Sequence, residues 1–171
     1  ARRAGFDNLN LDIMHGLPRQ TISQGLQDLK TALDYQPEHL SWYQLTIEPN
    51  TVFFKEKPPL PSEDEAFLLE EQGFKLLHDA GLHRYEISAF SKPNKQARHN
   101  LNYWLFGDYL GIGAGAHGKL TTAEGIQRTQ KYRQPKDYQN LEKAFLAHSE
   151  FVEGEELVFE FMLNTTRLEQ P

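Results

Sequence analysis

The sequence predicts an α/β fold over residues 1–90, followed by a smaller α+β region over residues 91–171. Three observations carry that prediction. Residues 8–14, NLNLDIM, alternate apolar and polar side chains with the period of a strand. Two capping-box spacings, Thr21 to Gln24 and Ser62 to Glu65, each open a run with helical intervals. Between them lies HLSWYQLTI, short, rich in aromatic and β-branched residues and apolar on both faces, as a strand of a buried parallel sheet is.

Taken in order, Leu9, Leu11 and Ile13 form the apolar face of the first strand, and Asn8, Asn10 and Asp12 the polar one. A helix follows from Thr21, with Leu26, Leu29 and Leu33 on one side, and Pro37 closes it. The second strand spans residues 39–47. Pro49, Pro58, Pro59 and Pro61 mark an irregular crossing before the helix that opens at Ser62 and ends at Gly81. A third strand is expected over 84–90. Strands alternating with helices favour parallel pairing and right-handed crossovers, in an open sheet or in part of a barrel; pattern alone does not separate the two. After Phe90 the rhythm changes to a polar loop, a short aromatic helix, a glycine-dense segment and two helical runs near 136–148 and 155–168. The boundary between regions is placed near residue 91.

Composition narrows the function classes. The chain has 171 residues, no cysteine and a formal charge of −6. Without thiols it forms no disulfide framework and holds no iron–sulfur cluster by its own side chains. The acidic charge is spread along the chain and disfavours nucleic-acid phosphate. No apolar run approaches the roughly 20 residues of a membrane-spanning helix. The chain opens on Ala1 and runs straight into a strand-like segment, so it is expected to be a piece of a longer protein.

Four features bear on chemistry. Asp12 sits near the exit of the first strand, where carboxylates of parallel α/β folds accept hydrogen bonds from vicinal hydroxyls; the alternative is a carboxylate that caps a loop or pairs with an arginine. Gly113, Gly115 and Gly118 match the GxGxxG pattern, and Gly113, Gly118 and Lys119 nearly satisfy the P-loop one, but Leu120 stands where a P-loop needs Ser or Thr, and a turn follows where both motifs need a helix. Those glycines instead suit close approach of backbone to a ligand or to a packed strand. In HNLNYW, helical spacing puts His99 and Tyr103 on one face and Asn100 and Trp104 on another. An imidazole among flat rings suits haem, but a lone histidine is more often a hydrogen-bonded core or surface residue than a ligand, and Tyr with Trp usually means packing. His117 is a weaker second candidate; His15, His39, His78, His83 and His148 lack metal-ligand spacing and read as structural or solvated.

The blocks GFDNLNLDIMHGLPRQT, HLSWYQLTIEPNT, RYEISAFSKP, RHNLNYW and YLGIGAGAHGK together resemble the HemW and oxygen-independent coproporphyrinogen III oxidase-like branch of the radical S-adenosylmethionine proteins. That resemblance implies the last strands of a partial (β/α)6 barrel in residues 1–90 and an accessory C-terminal region in 91–171. It implies S-adenosylmethionine as a cofactor, with Asp12 on its ribose and the backbone near Thr46 at its adenine. His99, Asn100, Tyr103 and Trp104 would then be haem-site residues, with His99 a candidate iron ligand. The family's CxxxCxxC segment, which holds a four-iron four-sulfur cluster, is absent here and is expected before Ala1, so the chain by itself is expected not to be an enzyme. The implied role is a cytoplasmic bacterial haem chaperone with haem-acceptor proteins as partners, and the alternative is the oxidase itself. A barrel cut through its sheet is also expected to self-associate through its open strand edge.

Overall fold

The computed structural model describes residues 1–169, so the last two residues of the expected 91–171 region lie outside the described residues. The chain divides into two compact units, residues 1–97 and residues 98–169.

In the first unit, β1 (Asn10–His15) and β2 (His39–Gln44) lie side by side and parallel, with Asn10 opposite His39 and His15 opposite Gln44. The connection between them is α1 (Ile22–Asp34), opened by a complete Thr21/Gln24 capping box. The proline-rich crossing contains a short helix, α2 (Val52–Glu56), capped by Thr51. The second long helix, α3 (Glu63–Asp79), starts at the Ser62/Glu65 box. Both helix starts are therefore where the side chains that satisfy the orphan backbone N–H groups put them.

The third strand departs from expectation. Instead of one parallel strand over 84–90, the chain folds back at Ile87–Ser88 into β3 (His83–Glu86) and β4 (Ala89–Ser91). The sheet order is β1-β2-β4-β3, with β4 antiparallel to both neighbours. Each arm is too short for alternation to reveal a reversal, and the turn contains no glycine to announce one. The Glu86 carboxylate accepts the Ser88 N–H at 3.2 Å, and the Ser88 carbonyl accepts the Trp42 N–H at 2.8 Å, which holds the turn against β2.

Helices α1 and α3 cover one face of this sheet. The core there consists of Leu29 and Ala32 of α1, Leu40 and Trp42 of β2, Leu69 and Leu77 of α3, and Leu82 and Phe90, with Leu11 and Ile13 packed against it. Gly73 makes the seat: a Cβ at that position would lie 2.0 Å from the Trp42 ring. The other sheet face carries Asn10, Asp12 and Met14 from β1, aligned with His39, Ser41 and Tyr43 from β2.

The second unit is built on a three-stranded antiparallel meander, β5 (His117–Thr122), β6 (Gly125–Gln130) and β7 (His148–Val152). Three helices accompany it: α4 (Arg98–Trp104), α5 (Pro135–Tyr138) and α6 (Gly154–Thr165). The helical run expected near 136–148 is only one turn long: residues 139–147 form turns, where Asn140 Oδ1 accepts the Glu142 N–H at 2.9 Å, and only His148 of that run belongs to β7. A local side-chain-to-backbone bond of this kind competes with the helix.

Candidate functional site

Asp12 is exposed on the sheet face that α1 and α3 leave uncovered. Its Oδ1 accepts a hydrogen bond from Asn10 Nδ2 at 3.0 Å. Behind Asn10 stands a buried histidine: His39 Nδ1 is hydrogen-bonded to Asn10 Oδ1 at 2.7 Å and His39 Nε2 to the Tyr85 hydroxyl at 2.7 Å. Burial lowers the pKa of His39, and the Asp12 charge opposes that only in part, so the ring is held neutral. Thr46 lies exposed just beyond the end of β2, its hydroxyl on Glu48 at 3.1 Å. The Leu45 N–H still bonds the His15 carbonyl at 2.9 Å, so the carboxyl ends of the two parallel strands run together up to Gly16 and Thr46.

Strand β1 is the sheet edge. The Leu9 and His15 carbonyls point to β2, so by the alternation of parallel pairing the main-chain groups of Asn10, Asp12 and Met14 face away from it. Along that edge runs a cavity of about 450 Å³ lined by Leu11, Asp12, Ile13 and Met14 together with Asp28 and Tyr35. His15, on the helix-covered face, is a core residue. Its ring lies 4.1 Å from that of Trp42, and burial pushes its pKa down to about 4.

In the second unit, α4 brings the His99 and Tyr103 rings to 4.8 Å, nearly perpendicular, as a one-turn spacing should. His99 is exposed and Asn100 half-buried. Tyr103 also meets Tyr109 at 4.5 Å, and the Arg128 guanidinium donates to the Tyr109 hydroxyl at 2.8 Å while pairing with Glu160 of α6. Trp104 lies under the Arg167 guanidinium at 4.2 Å, its indole N–H buried without an acceptor. Tyr109 and Arg128 carry no local signal in the sequence; they come from the glycine segment's flank and from β6, and pairing on either side of Lys119, with Tyr109 by a bridge and with Arg128 by β5–β6 register, brings them together beside the Tyr103 ring.

The glycine segment is a packed backbone. A Cβ on Gly111 would fall 2.4 Å from the His117 carbonyl, and one on Gly118 would fall 2.6 Å from Thr129 Oγ1. Lys119 is buried, its ammonium on the Phe106 carbonyl at 2.8 Å and on Asp108 at 3.0 Å, which occupies the cation a phosphate site would need. Asp108 is held down to about 2 by the Thr121 N–H and hydroxyl and by Lys119. His117 is exposed on β5. Among the described residues no group of three His, Asp or Glu is placed to hold a metal ion, and no helix is long and apolar enough to cross a membrane.

The donor sets fit the groups that the resemblance implies. The second Asp12 oxygen accepts no hydrogen bond among the described residues and is open to a diol. The His99 imidazole is exposed beside the Tyr103 ring, an arrangement that would leave it accessible to a haem iron.

No family model matches the chain. It is 50% identical over 165 residues to the haem chaperone HemW of Escherichia coli, covering 96% of this chain and 43% of that protein. HemW of Haemophilus influenzae is 49% identical, with 98% and 44% covered, and HemW of Bacillus subtilis 40% identical, with 85% and 39% covered. The chain therefore spans less than half the length of these curated relatives. In fold it is similar to the solved coproporphyrinogen III oxidase HemN of Escherichia coli, a radical S-adenosylmethionine enzyme, with a TM-score of 0.76 at 18% identity over 97% of this chain and 42% of that one.

Proposed function

We propose, from the premise that this chain belongs to the HemW family, that the full-length protein binds haem and passes it to acceptor proteins in the bacterial cytoplasm. The observation that carries the reading is α4, which presents the exposed His99 imidazole with the Tyr103 ring stacked edge-on at 4.8 Å. His99 is the candidate haem iron ligand; Tyr103, Asn100 and Trp104 would shape the surface around it. Residues 1–90 are read as the last strands of a partial (β/α)6 barrel and residues 91–171 as the accessory region. In that barrel Asp12 holds the ribose of S-adenosylmethionine and the backbone at Thr46 meets its adenine. The four-iron four-sulfur cluster that the resemblance implies would be held by cysteines outside residues 1–171, and would supply the electron for reductive cleavage of S-adenosylmethionine.

Replacing His99 with Ala in the full-length protein is expected to weaken haem binding in a spectrophotometric titration. An unchanged titration places the ligand elsewhere. A second reading, oxidative decarboxylation of coproporphyrinogen III, is favoured by one observation, the fold shared with HemN. Anaerobic incubation of the reconstituted full-length protein with that substrate separates the two: no protoporphyrinogen under conditions where S-adenosylmethionine is bound excludes the oxidase.

A further inference from the structure

Four hydrogen bonds cross the open face of the first sheet in a line: Ala97 N–H to Tyr85, Tyr85 to His39, His39 to Asn10, and Asn10 to Asp12, at 3.3, 2.7, 2.7 and 3.0 Å. Each link sets the direction of the next. The direction is set from the carboxylate end: ionised Asp12 can only accept, so the Asn10 amide turns its NH₂ toward Asp12 and its Oδ1 toward His39 Nδ1. Facing an amide oxygen, His39 Nδ1 must carry the proton and donate, and the neutral imidazole leaves Nε2 bare to accept from the Tyr85 hydroxyl. The acceptor is Asn10 Oδ1, which the Ser41 hydroxyl also approaches at 3.4 Å. The opposite histidine tautomer would demand a flipped amide, and a carbonyl oxygen would then face the carboxylate and repel it.

We propose that Tyr85, His39 and Asn10 are positioning residues that hold one oxygen of the Asp12 carboxylate through this directed chain and leave the other free to accept from the vicinal diol of a ribose. The proposal rests on the reading of Asp12 as a ribose-binding residue. His39 and Ser41 are buried while Asp12 is exposed, so the chain runs from a rigid interior to a group that meets ligand. Fixing a carboxylate's rotamer before the ligand arrives removes an ordering cost from binding. A side chain on a strand held in this way is better placed than one on a loop.

The test uses the full-length protein with its cluster reconstituted anaerobically, titrated calorimetrically with S-adenosylmethionine. Asp12→Ala is expected to weaken binding at least about tenfold, the value of hydrogen bonds to a charged group. Tyr85→Phe and His39→Phe, which remove no atom that touches the ligand, are expected to weaken it about fivefold, the value of one ordinary hydrogen bond. If Asp12→Ala weakens binding while the other two variants stay within about twofold, the positioning role is overturned and the ribose reading stands. If Asp12→Ala binds as tightly as the unsubstituted protein, the ribose reading fails and takes this proposal with it. A variant that does not fold leaves a second measurement on the unsubstituted protein, long-range ¹⁵N correlation spectra of labelled histidine. These are expected to show a protonated Nδ1 and a bare Nε2 at His39, and the reverse assignment overturns the chain.

Discussion

The two units present their candidate groups in opposite ways. Asp12 stands on a strand, backed by a histidine that is 4% exposed and by a core that includes Leu40 and Trp42. His99 stands on α4, a seven-residue helix with no buried residue, and is held mainly by its contact with the Tyr103 ring. Directed hydrogen bonds to buried groups fix a geometry; ring contacts at a surface tolerate sliding. The first arrangement suits a small ligand recognised atom by atom. The second suits a large flat ligand that must be taken up and released.

That contrast can be broken or sharpened by four measurements. The largest expected effect is on pH dependence. His15 has a pKa of about 4 in the folded chain against an ordinary 6.5, because burial disfavours its charged form. Between those values the unfolded chain binds a proton that the folded chain does not, so stability is full above pH 6.5 and falls as pH drops toward 4. The loss is about 3 kcal/mol at the lower end. Denaturant unfolding at pH 7 and pH 4.5 should show it, and His15→Phe should flatten that dependence.

Next comes Gly73→Ala, which puts a methyl against a rigid indole and should cost about 2 kcal/mol through overpacking, despite alanine's better helix propensity. A thermal midpoint equal to that of the parent would mean α3 can shift away from Trp42. Thr21→Ala should cost about 1 kcal/mol by removing the α1 cap, read in the same unfolding experiment. The smallest effect belongs to the second unit: His99→Ala should change stability by no more than about 0.5 kcal/mol, as exposed substitutions do. A large loss of stability there would make His99 a packing residue and erase the contrast.

Much of the first unit was legible in the residues. The capping boxes at Thr21 and Ser62 named their helix starts because the bonds that make them are local, within three residues. The alternation in NLNLDIM placed Leu11 and Ile13 toward the helices and Asp12 on the other face, as found. The β3–β4 hairpin and the strand β7 were not legible, since each exists through pairing with a distant segment. His39 read as an ordinary structural histidine. Its role in the chain to Asp12 comes from strand register, which sets His39 opposite Asn10, and from the hairpin that delivers Tyr85.

The strand and helix periods, the helix starts, the place of Asp12 on the polar face of its strand and the aromatic spacing of HNLNYW are written in the order of residues, because each depends on residues within a turn or two of one another. Only the tertiary structure decided which residues stand behind those groups: His39 and Tyr85 behind Asp12, and Tyr109 and Arg128 beside Tyr103. Such neighbours are brought together by sheet register and packing across tens of residues, and that proximity leaves no local trace in the order of side chains.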